Sequence, residues 1–179
     1  MATYVAFLRA INLGAKRKFP KEAIKAATEG AGFTGVETYI NTGNVRLETA
    51  MRSPELIAAK LEKAYLADRG FGVPTMVLTI PELAEIVAEI DELWAGHGEP
   101  KQHTVTLYAQ PPTAESIAAA QAAAEGTEDR VVVGRRWAHV LLGVNFHQSR
   151  LLTSKGFAGL GTGTARNATV IRAVTSRWS

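Results

Sequence analysis

Residues 37–48 read ETYINTGNVRLE, and this stretch carries the strongest fold signal in the chain. Residues 37–40 and 45–48 are rich in side chains that favour strands, and Asn-Thr-Gly-Asn separates them at 41–44. Asparagine and glycine between two such runs are typical of a tight turn that joins antiparallel strands. The stretch therefore predicts a β-hairpin.

The segments on both sides of this hairpin complete a larger pattern. Residues 3–8 and 73–80 are apolar, β-rich runs that predict strands. A helix is predicted from Pro20 to about Gly30, and a second one from Pro54, capped by Ser53, to Gly70. The resulting order, β-α-β-β-α-β, is that of ferredoxin-like domains. We expect one sheet in which the first and third strands are adjacent and parallel, while the other pairs are antiparallel.

The second half of the chain predicts a similar but shorter order of elements. It begins with a helix after Pro81 and a Gly- and Pro-containing loop, and it ends with a helix from Thr164. Between them the sequence predicts a strand at 104–108, a helix at 113–124 and a hairpin of 130–133 with 137–142. We therefore expect an α+β fold in which a ferredoxin-like βαββαβ unit precedes a second, incomplete ferredoxin-like unit. The predicted division is a ferredoxin-like lobe at 1–80, a helix and connector at 81–103, and a second α+β lobe with the C-terminal helix at 104–179.

Composition narrows the class of protein. The 179 residues are 46% hydrophobic and 21% charged, which is typical of a folded globular protein. Cysteine is absent, so disulfides and thiolate metal sites are excluded. No apolar run approaches the roughly 20 residues of a membrane span, and no signal-peptide layout is present. We expect a cytoplasmic protein without a membrane partner. The four histidines lack metal-ligand spacing, so we predict no metal and no cofactor.

Charge is distributed unevenly along the chain. The first 21 residues contain five Lys or Arg and no acid, and residues 130–179 contain eight Arg or Lys and no acid. All 17 acidic residues lie between Glu22 and Asp129. The basic ends either form surface ion pairs with the acidic middle, worth under about 1 kcal/mol each, or they bind an anion.

The predicted helix starts favour the anion interpretation. Lys16 closely precedes the helix at Pro20, and Arg166 lies in the first predicted turn after Thr164, which would be its N-cap. Cations near a helix N-terminus oppose the helix dipole, at a cost of roughly 0.3 to 1 kcal/mol, unless an anion lies between them and the helix. The glycine-rich segment 155–167 (KGFAGLGTGTARN) lacks the P-loop spacing, and it is either a phosphate cradle or a flexible connector.

Polar residues also follow the first strand and fill the hairpin turn. Arg9, Asn12 and Gly14 come directly after residues 3–8, a usual position for binding residues. Asn12 has a second interpretation, since asparagine often caps a turn through its own side chain. The same alternative holds for the residues of the hairpin turn.

Three of these segments together resemble the domain-of-unknown-function 1697 family of bacterial proteins. They are YVAFLRAINLGAKRKFP at 4–20, GFTGVETYINTGNVRLE at 32–48, and the closing TSK and GTARNATVIRAV. The family motifs match at Arg9, Ile11, Asn12, Gly14, Tyr39, Ile40, Gly43, Asn44, Ser154, Lys155, Thr164, Arg166, Asn167 and Thr169. Ala10 and Ala15 replace family glycines, and Ala168 replaces the usual tryptophan. The resemblance implies an α+β fold with ferredoxin-like units, but it implies no reaction and no substrate.

These observations lead to one preferred function and two alternatives. We expect the protein to bind a small anionic ligand, phosphorylated or nucleotide-like, in a cleft between the two lobes. The alternatives are a nucleic-acid binding module that uses the basic surface and a protein-interaction scaffold without a ligand. Catalysis and oligomeric state stay open. The predicted ligand-binding residues are Arg9, Asn12, Gly14, Lys16, Thr42, Gly43, Asn44, Lys155, Thr164, Arg166 and Asn167.

Overall fold

A computed structural model describes residues 1–98 and 100–179. Residue 99, within the predicted connector at 81–103, lies outside the described residues. The described residues form an α+β structure with two four-stranded antiparallel sheets, which confirms the predicted fold class at that level. They divide into a first unit, Met1–Ala84 with Val174–Ser179, and a second unit, Glu85–Ala173.

The first unit contains its elements in the predicted order. Ser53 accepts a hydrogen bond from the Leu56 amide at the start of the second helix, and Gly70 ends that helix with φ +74°. The last strand begins after Pro74, which has no amide hydrogen for a sheet. The elements are β1 (Ala2–Leu8), α1 (Lys21–Gly30), β2 (Thr34–Tyr39), β3 (Asn44–Thr49), α2 (Pro54–Arg69) and β4 (Thr75–Thr79).

The strands of the first unit are ordered β2-β3-β1-β4. The predicted hairpin is confirmed, since β2 pairs with β3 and the pair of Tyr39 with Asn44 lies next to the turn. The predicted parallel pairing of β1 with β3 is wrong, because Ala6 pairs with Val45 in an antiparallel register. The helix α1 brings the chain back to the end of the sheet where β1 began, so β2 runs in the same direction as β1. The hairpin then turns the chain around, so β3 runs opposite to both strands.

Alternation along the central strands builds the core of the first unit. Tyr4, Ala6 and Leu8 lie on the same side of β1 and pack with buried residues of the two helices. Ile57 is fully buried, whereas its neighbour Leu56, although also apolar, is 63% exposed. One residue rotates the side chain by about 100° around a helix, which moves Leu56 out of the core.

The second unit contains a four-stranded sheet of order β6-β7-β5-β8. The second predicted hairpin is confirmed at its predicted bounds. The elements are β5 (Gln102–Tyr108), α4 (Ala114–Ala124), β6 (Arg130–Val133), β7 (Trp137–Leu142), a 3₁₀ turn (Phe146–Gln148), α5 (Arg150–Thr153), α6 (Lys155–Ala158) and β8 (Gly163–Asn167).

Strand β8 corrects the prediction of an incomplete second unit. Thr164 and Arg166 lie in a strand that pairs with β5, with Val105 opposite Arg166, and not in a helix. Thr164 is therefore not the N-cap of the last helix, and Arg166 does not lie in its first turn. Thr164 and Arg166 are buried, whereas Ala165 between them is exposed, which is the alternation of a strand. The sequence does not reveal this alternation, because both buried side chains are polar.

Two further helices, α3 (Ile80–His97) and α7 (Ala168–Trp178), each contain residues of both units. The C-terminal helix thus begins at Ala168, four positions later than predicted. Among the described residues, no helix combines the length and the apolar character that crossing a membrane requires.

Candidate functional site

The loop after β1 is held in place by the side chain of Asn12. Its Nδ2 donates to the carbonyl oxygens of Phe19, at 3.0 Å, and Asn41, at 2.7 Å. Its Oδ1 accepts the amide hydrogen of Phe19 at 2.8 Å. These bonds close the loop and fix it to the turn between β2 and β3. The structure thus gives Asn12 the turn-capping contacts that were the alternative to ligand binding.

Arg17 anchors the same loop from its other side. Its Nε donates to the carbonyl oxygen of Ala10 and its Nη2 to that of Gly72, both at 2.6 Å. The guanidinium carbon lies 4.7 Å from the centre of the Phe71 ring, which is within cation–π range. Arg17 is therefore occupied by contacts within the protein.

The hairpin turn is closed by Asn44 and Gly43. The Nδ2 of buried Asn44 donates to the Tyr39 carbonyl oxygen and to Thr42 Oγ1, each at 3.0 Å. Gly43 has φ +79°, and a Cβ there would lie 2.7 Å from Leu8 Cβ. The carbonyl oxygen of Gly43 accepts the Leu8 amide at 2.8 Å. The two motifs that carry the family resemblance in this unit are thus in direct contact.

Among the described residues, left-handed backbone at residues other than glycine occurs in these two turns. Ala10, Asn12 and Ile40 have φ of 56°, 55° and 49°, and they are the non-glycine residues with positive φ among the described residues. A β-branched residue such as Ile40 is rarely found there. Position 10, where the family pattern has glycine, is one of the three. Such strain persists only where the surrounding contacts hold it.

The exposed part of the loop carries the remaining predicted residues. Gly14, Lys16 and Lys18 are exposed, and neither lysine forms an ion pair within the described residues. Thr42 is also exposed, and Arg9 is half-buried with contacts of its own. The first unit therefore places Asn12, Thr42, Gly43 and Asn44 together, with Lys16 on the exposed side of the same loop.

The predicted residues of the second unit have different surroundings. Lys155 is the exposed first residue of α6, which Ser154 caps by accepting the Phe157 amide hydrogen at 3.0 Å. Arg166 is 7% exposed, and its Nη1 donates to Thr164 Oγ1 and to the Ala165 carbonyl oxygen, both at 2.9 Å. Burial lowers the pKa of the Arg166 guanidinium to about 10.

A polar cavity of about 290 Å³ opens beside Asn167 in the second unit. Lys101, Asn167 and Thr169 are exposed at its edge, and their side chains form no hydrogen bond or ion pair within the described part of the chain. None of its described lining residues is acidic. The lining consists of Trp94, Pro100, Lys101, Gln102, His103, Asn167, Ala168 and Thr169.

A hydrogen-bonded chain of side chains begins in the wall of this cavity. Trp94 Nε1 donates to His103 Nδ1 at 2.9 Å, and His103 Nε2 lies 3.0 Å from His139 Nδ1. His139 Nε2 lies 2.7 Å from Glu89 Oε2, and Trp137 Nε1 donates to the same oxygen at 2.6 Å. We call these five residues the histidine chain.

The imidazoles of the histidine chain are held neutral by their burial. His103 is 7% exposed and His139 is fully buried. Burial, and secondarily the neighbouring His139, lowers the pKa of His103 from 6.5 to about 4. Burial also lowers the pKa of His139, although its hydrogen bond with Glu89 acts in the opposite direction. The histidine chain therefore adds no positive charge to the cavity at neutral pH.

Arg172 packs against Trp94, which belongs to both the cavity lining and the histidine chain. Its guanidinium carbon lies 4.6 Å from the centre of the Trp94 ring, and it forms an ion pair with Asp91. Lys101 is thus the unpaired cation among the described lining residues of the cavity. No group of three or more metal-ligating side chains is assembled within the described residues.

The two four-stranded antiparallel sheets and their helices make this an α+β protein. Residues 1–137 match the model of the family described as "Protein of unknown function (DUF1697)", and the chain belongs to that family. No curated protein matches it. The structure is similar to that of the conserved bacterial protein SP0830 from Streptococcus pneumoniae, with a TM-score of 0.75 and 20% identity. That likeness covers 99% of this chain and 98% of the other, and it concerns the fold.

Sequence reasoning selected only one residue of the cavity, Asn167. The predicted helix and connector at 81–103 contains Lys101, Gln102 and His103, and no motif of the sequence marks them as ligand-binding residues. Thr169 had a signal, because it lies in the closing stretch GTARNATVIRAV that carries the family resemblance. Glu89 and His139 lie on a helix and a strand whose patterns indicate only core-facing elements.

Proposed function

We propose that the protein binds a small anionic ligand, phosphorylated or nucleotide-like, in the polar cavity of the second unit. The observation that supports this proposal is the composition of the cavity lining. Among the described lining residues there is one unpaired cation, Lys101, and there is no acid. The polar side chains of Asn167 and Thr169 have no partner within the described residues. An ammonium group and neutral donors without a competing carboxylate favour an anion over a cation. Of the residues predicted from the sequence, the proposal retains Asn167.

The start of α7 supports the same ligand class. Asn167, Ala168 and Thr169 form the junction of β8 with this helix, so backbone amides at the start of α7 lie at the cavity edge. The first turn contains no acidic side chain that would offset the positive end of the helix dipole. The amides supplement the charge of Lys101 and do not replace it.

The experiment is a calorimetric titration of the full chain with inorganic phosphate and with AMP. Lys101→Met removes the cation and keeps the length of the side chain, and we expect it to raise the Kd tenfold or more. Asn167→Ala should weaken binding in the same direction. Lys63→Met, at an exposed position of α2 in the first unit, is the matched control and should leave the Kd unchanged. Equal effects of the two lysine variants would contradict the proposal.

Nucleic-acid binding is the second candidate, favoured by the exposed Lys16 and Lys18 in the first unit. A short RNA and AMP, titrated at roughly 50 and 200 mM salt, distinguish the two functions. Binding to a polyanion weakens by orders of magnitude over that range, whereas binding to a compact site changes less steeply. RNA binding that is lost in a Lys16→Met, Lys18→Met double variant, without phosphate or AMP binding, would replace the proposed function with this one. A scaffold without a ligand would bind none of these probes.

We also propose that each unit has ferredoxin-like topology and that the protein works in the cytoplasm. Support for the topology is that each unit, numbered internally, orders its strands 2-3-1-4 with antiparallel neighbours. The complete absence of cysteine agrees with a reducing compartment, where disulfides are rare. The ligand-binding roles predicted for the other residues stay predictions.

A further inference from the structure

The histidine chain has only one arrangement of protons that satisfies all its hydrogen bonds. An indole N–H is a donor only, so the bond from Trp94 requires an unprotonated Nδ1 on His103. A neutral His103 then carries its proton on Nε2 and donates it to His139 Nδ1. His139 in turn carries its proton on Nε2 and donates it to Glu89. All donors of the chain therefore point away from the cavity and toward Glu89.

The Glu89 end of the chain stabilises the same direction of donation. The carboxylate oxygen Oε2 accepts from both His139 and Trp137, and a carboxylate is an acceptor only. Without this acceptor, the Nε2 proton of buried His139 would lose its hydrogen-bond partner. A second proton on either imidazole would place two donors face to face, so the chain takes up no proton without breaking a bond.

We propose that Glu89 and His139 are positioning residues of the anion cavity: they hold His103 as the Nε2–H tautomer, and His103 in turn fixes the Trp94 side chain in the cavity wall. The inference rests on the proposed function, because the cavity is the site it serves. Trp94 is the large side chain of the lining, and its indole N–H is aimed at His103. A free choice of tautomer would release that N–H and let the wall change shape.

The experiment compares Glu89→Gln with Glu89→Leu in the ¹⁵N-labelled full chain. The amide oxygen of glutamine accepts from His139 and Trp137 as Oε2 does, whereas leucine accepts nothing. Imidazole ¹⁵N shifts at neutral pH report the His103 tautomer directly, without any ligand. We expect a single Nε2–H tautomer in the unmodified protein and in Glu89→Gln, and a mixture in Glu89→Leu. The Kd for inorganic phosphate should rise roughly fivefold or more in Glu89→Leu and stay within twofold in Glu89→Gln.

A third variant keeps the test decisive if Glu89→Leu does not fold. Trp94→Phe removes the indole donor and leaves Glu89 in place, so His103 should keep the Nε2–H tautomer while phosphate binding weakens. An Nδ1–H proton on His103 in the unmodified protein would overturn the inference, as would loss of the Nε2–H tautomer in Trp94→Phe. Equal phosphate affinities of Glu89→Gln and Glu89→Leu would overturn it too. Failure of the proposed anion binding gives a different result. The tautomer signals would then be as expected, but the unmodified protein would not bind phosphate. That result would refute both the anion-binding function and the positioning role of Glu89 and His139.

Discussion

The side-chain amide of Asn12 donates a hydrogen bond to the carbonyl oxygen of Asn41 at 2.7 Å, across 29 residues of sequence. This bond joins the loop after β1 to the turn of the first hairpin. Both segments carry motifs of the DUF1697 family, and the bond shows that these motifs meet in one structural feature. Their asparagines and glycines are explained by backbone geometry before any ligand is considered.

Replacing Asn12 should destabilise the protein. Asn12→Ala removes the bonds to Phe19 and Asn41 and places alanine at φ 55°, so we expect the free energy of unfolding to fall by about 2–4 kcal/mol. Asn12→Gly should cost about 1 kcal/mol less, because glycine adopts this φ without strain. Urea unfolding monitored by circular dichroism measures both. Asn41→Ala is the control, since its backbone carbonyl remains the acceptor, and a loss there as large as in Asn12→Ala would refute the explanation.

Gly43 should tolerate no side chain. In Gly43→Ala the new Cβ would lie 2.7 Å from Leu8 Cβ and 2.8 Å from Ile11 Cδ1, at φ +79°. The strain and the overlap together should lower the free energy of unfolding by about 2–4 kcal/mol. Gly30→Ala, at the end of α1 with no atom within 4 Å of its new Cβ, should instead raise it by about 0.4–1 kcal/mol. Thermal unfolding compares the two, and a neutral Gly43→Ala would show that the turn can rearrange.

Arg166 should matter for stability as well as for any ligand. The sequence predicted that Arg166 lies in the first turn of a helix. Because it is buried in β8 and donates to Thr164 and Ala165, we now expect a loss of about 1–3 kcal/mol in the free energy of unfolding. Exposed Arg150→Ala should change it by less than about 0.5 kcal/mol. Urea titrations that give the same small loss for both variants would argue against a structural role of Arg166.

Acid should destabilise the second unit through His103. Its pKa is lowered to about 4 in the folded protein, chiefly by burial, so the unfolded chain binds a proton first as the pH falls. The contribution of His103 to the free energy of unfolding should therefore be fully present above pH 6.5. It should be lost as the pH falls from about 6.5 to 4, which lowers the free energy of unfolding by about 3 kcal/mol. His103→Gln should flatten this pH dependence, while exposed His147→Gln should keep it. Urea unfolding at several pH values checks the slope, and an unchanged slope in His103→Gln would contradict the assignment.

The sequence predicted well those features that are encoded by neighbouring residues. The turns at 41–44 and 134–136 lie between β-rich runs, and both hairpins form as expected. Ser53 with Pro54 and Gly70 correctly marked the ends of α2, since caps act within one turn. The antiparallel direction of β3 against β1 also follows from element order alone, so the error there lay in the direction predicted for this pair and not in the predicted elements.

Tertiary structure decided what depends on distant partners. Residues 163–167 form a strand because β5 offers an open edge, and a buried arginine concealed the period of two. The cavity joins Trp94, residues 101–103 and residues 167–169, and the histidine chain joins α3 to β5 and β7. Local sequence sets which turns and helices form, because their hydrogen bonds close within a few residues. The burial of a charged or titratable side chain is set by segments far along the chain, so only the folded structure shows which polar residues face a ligand and which hold the protein together.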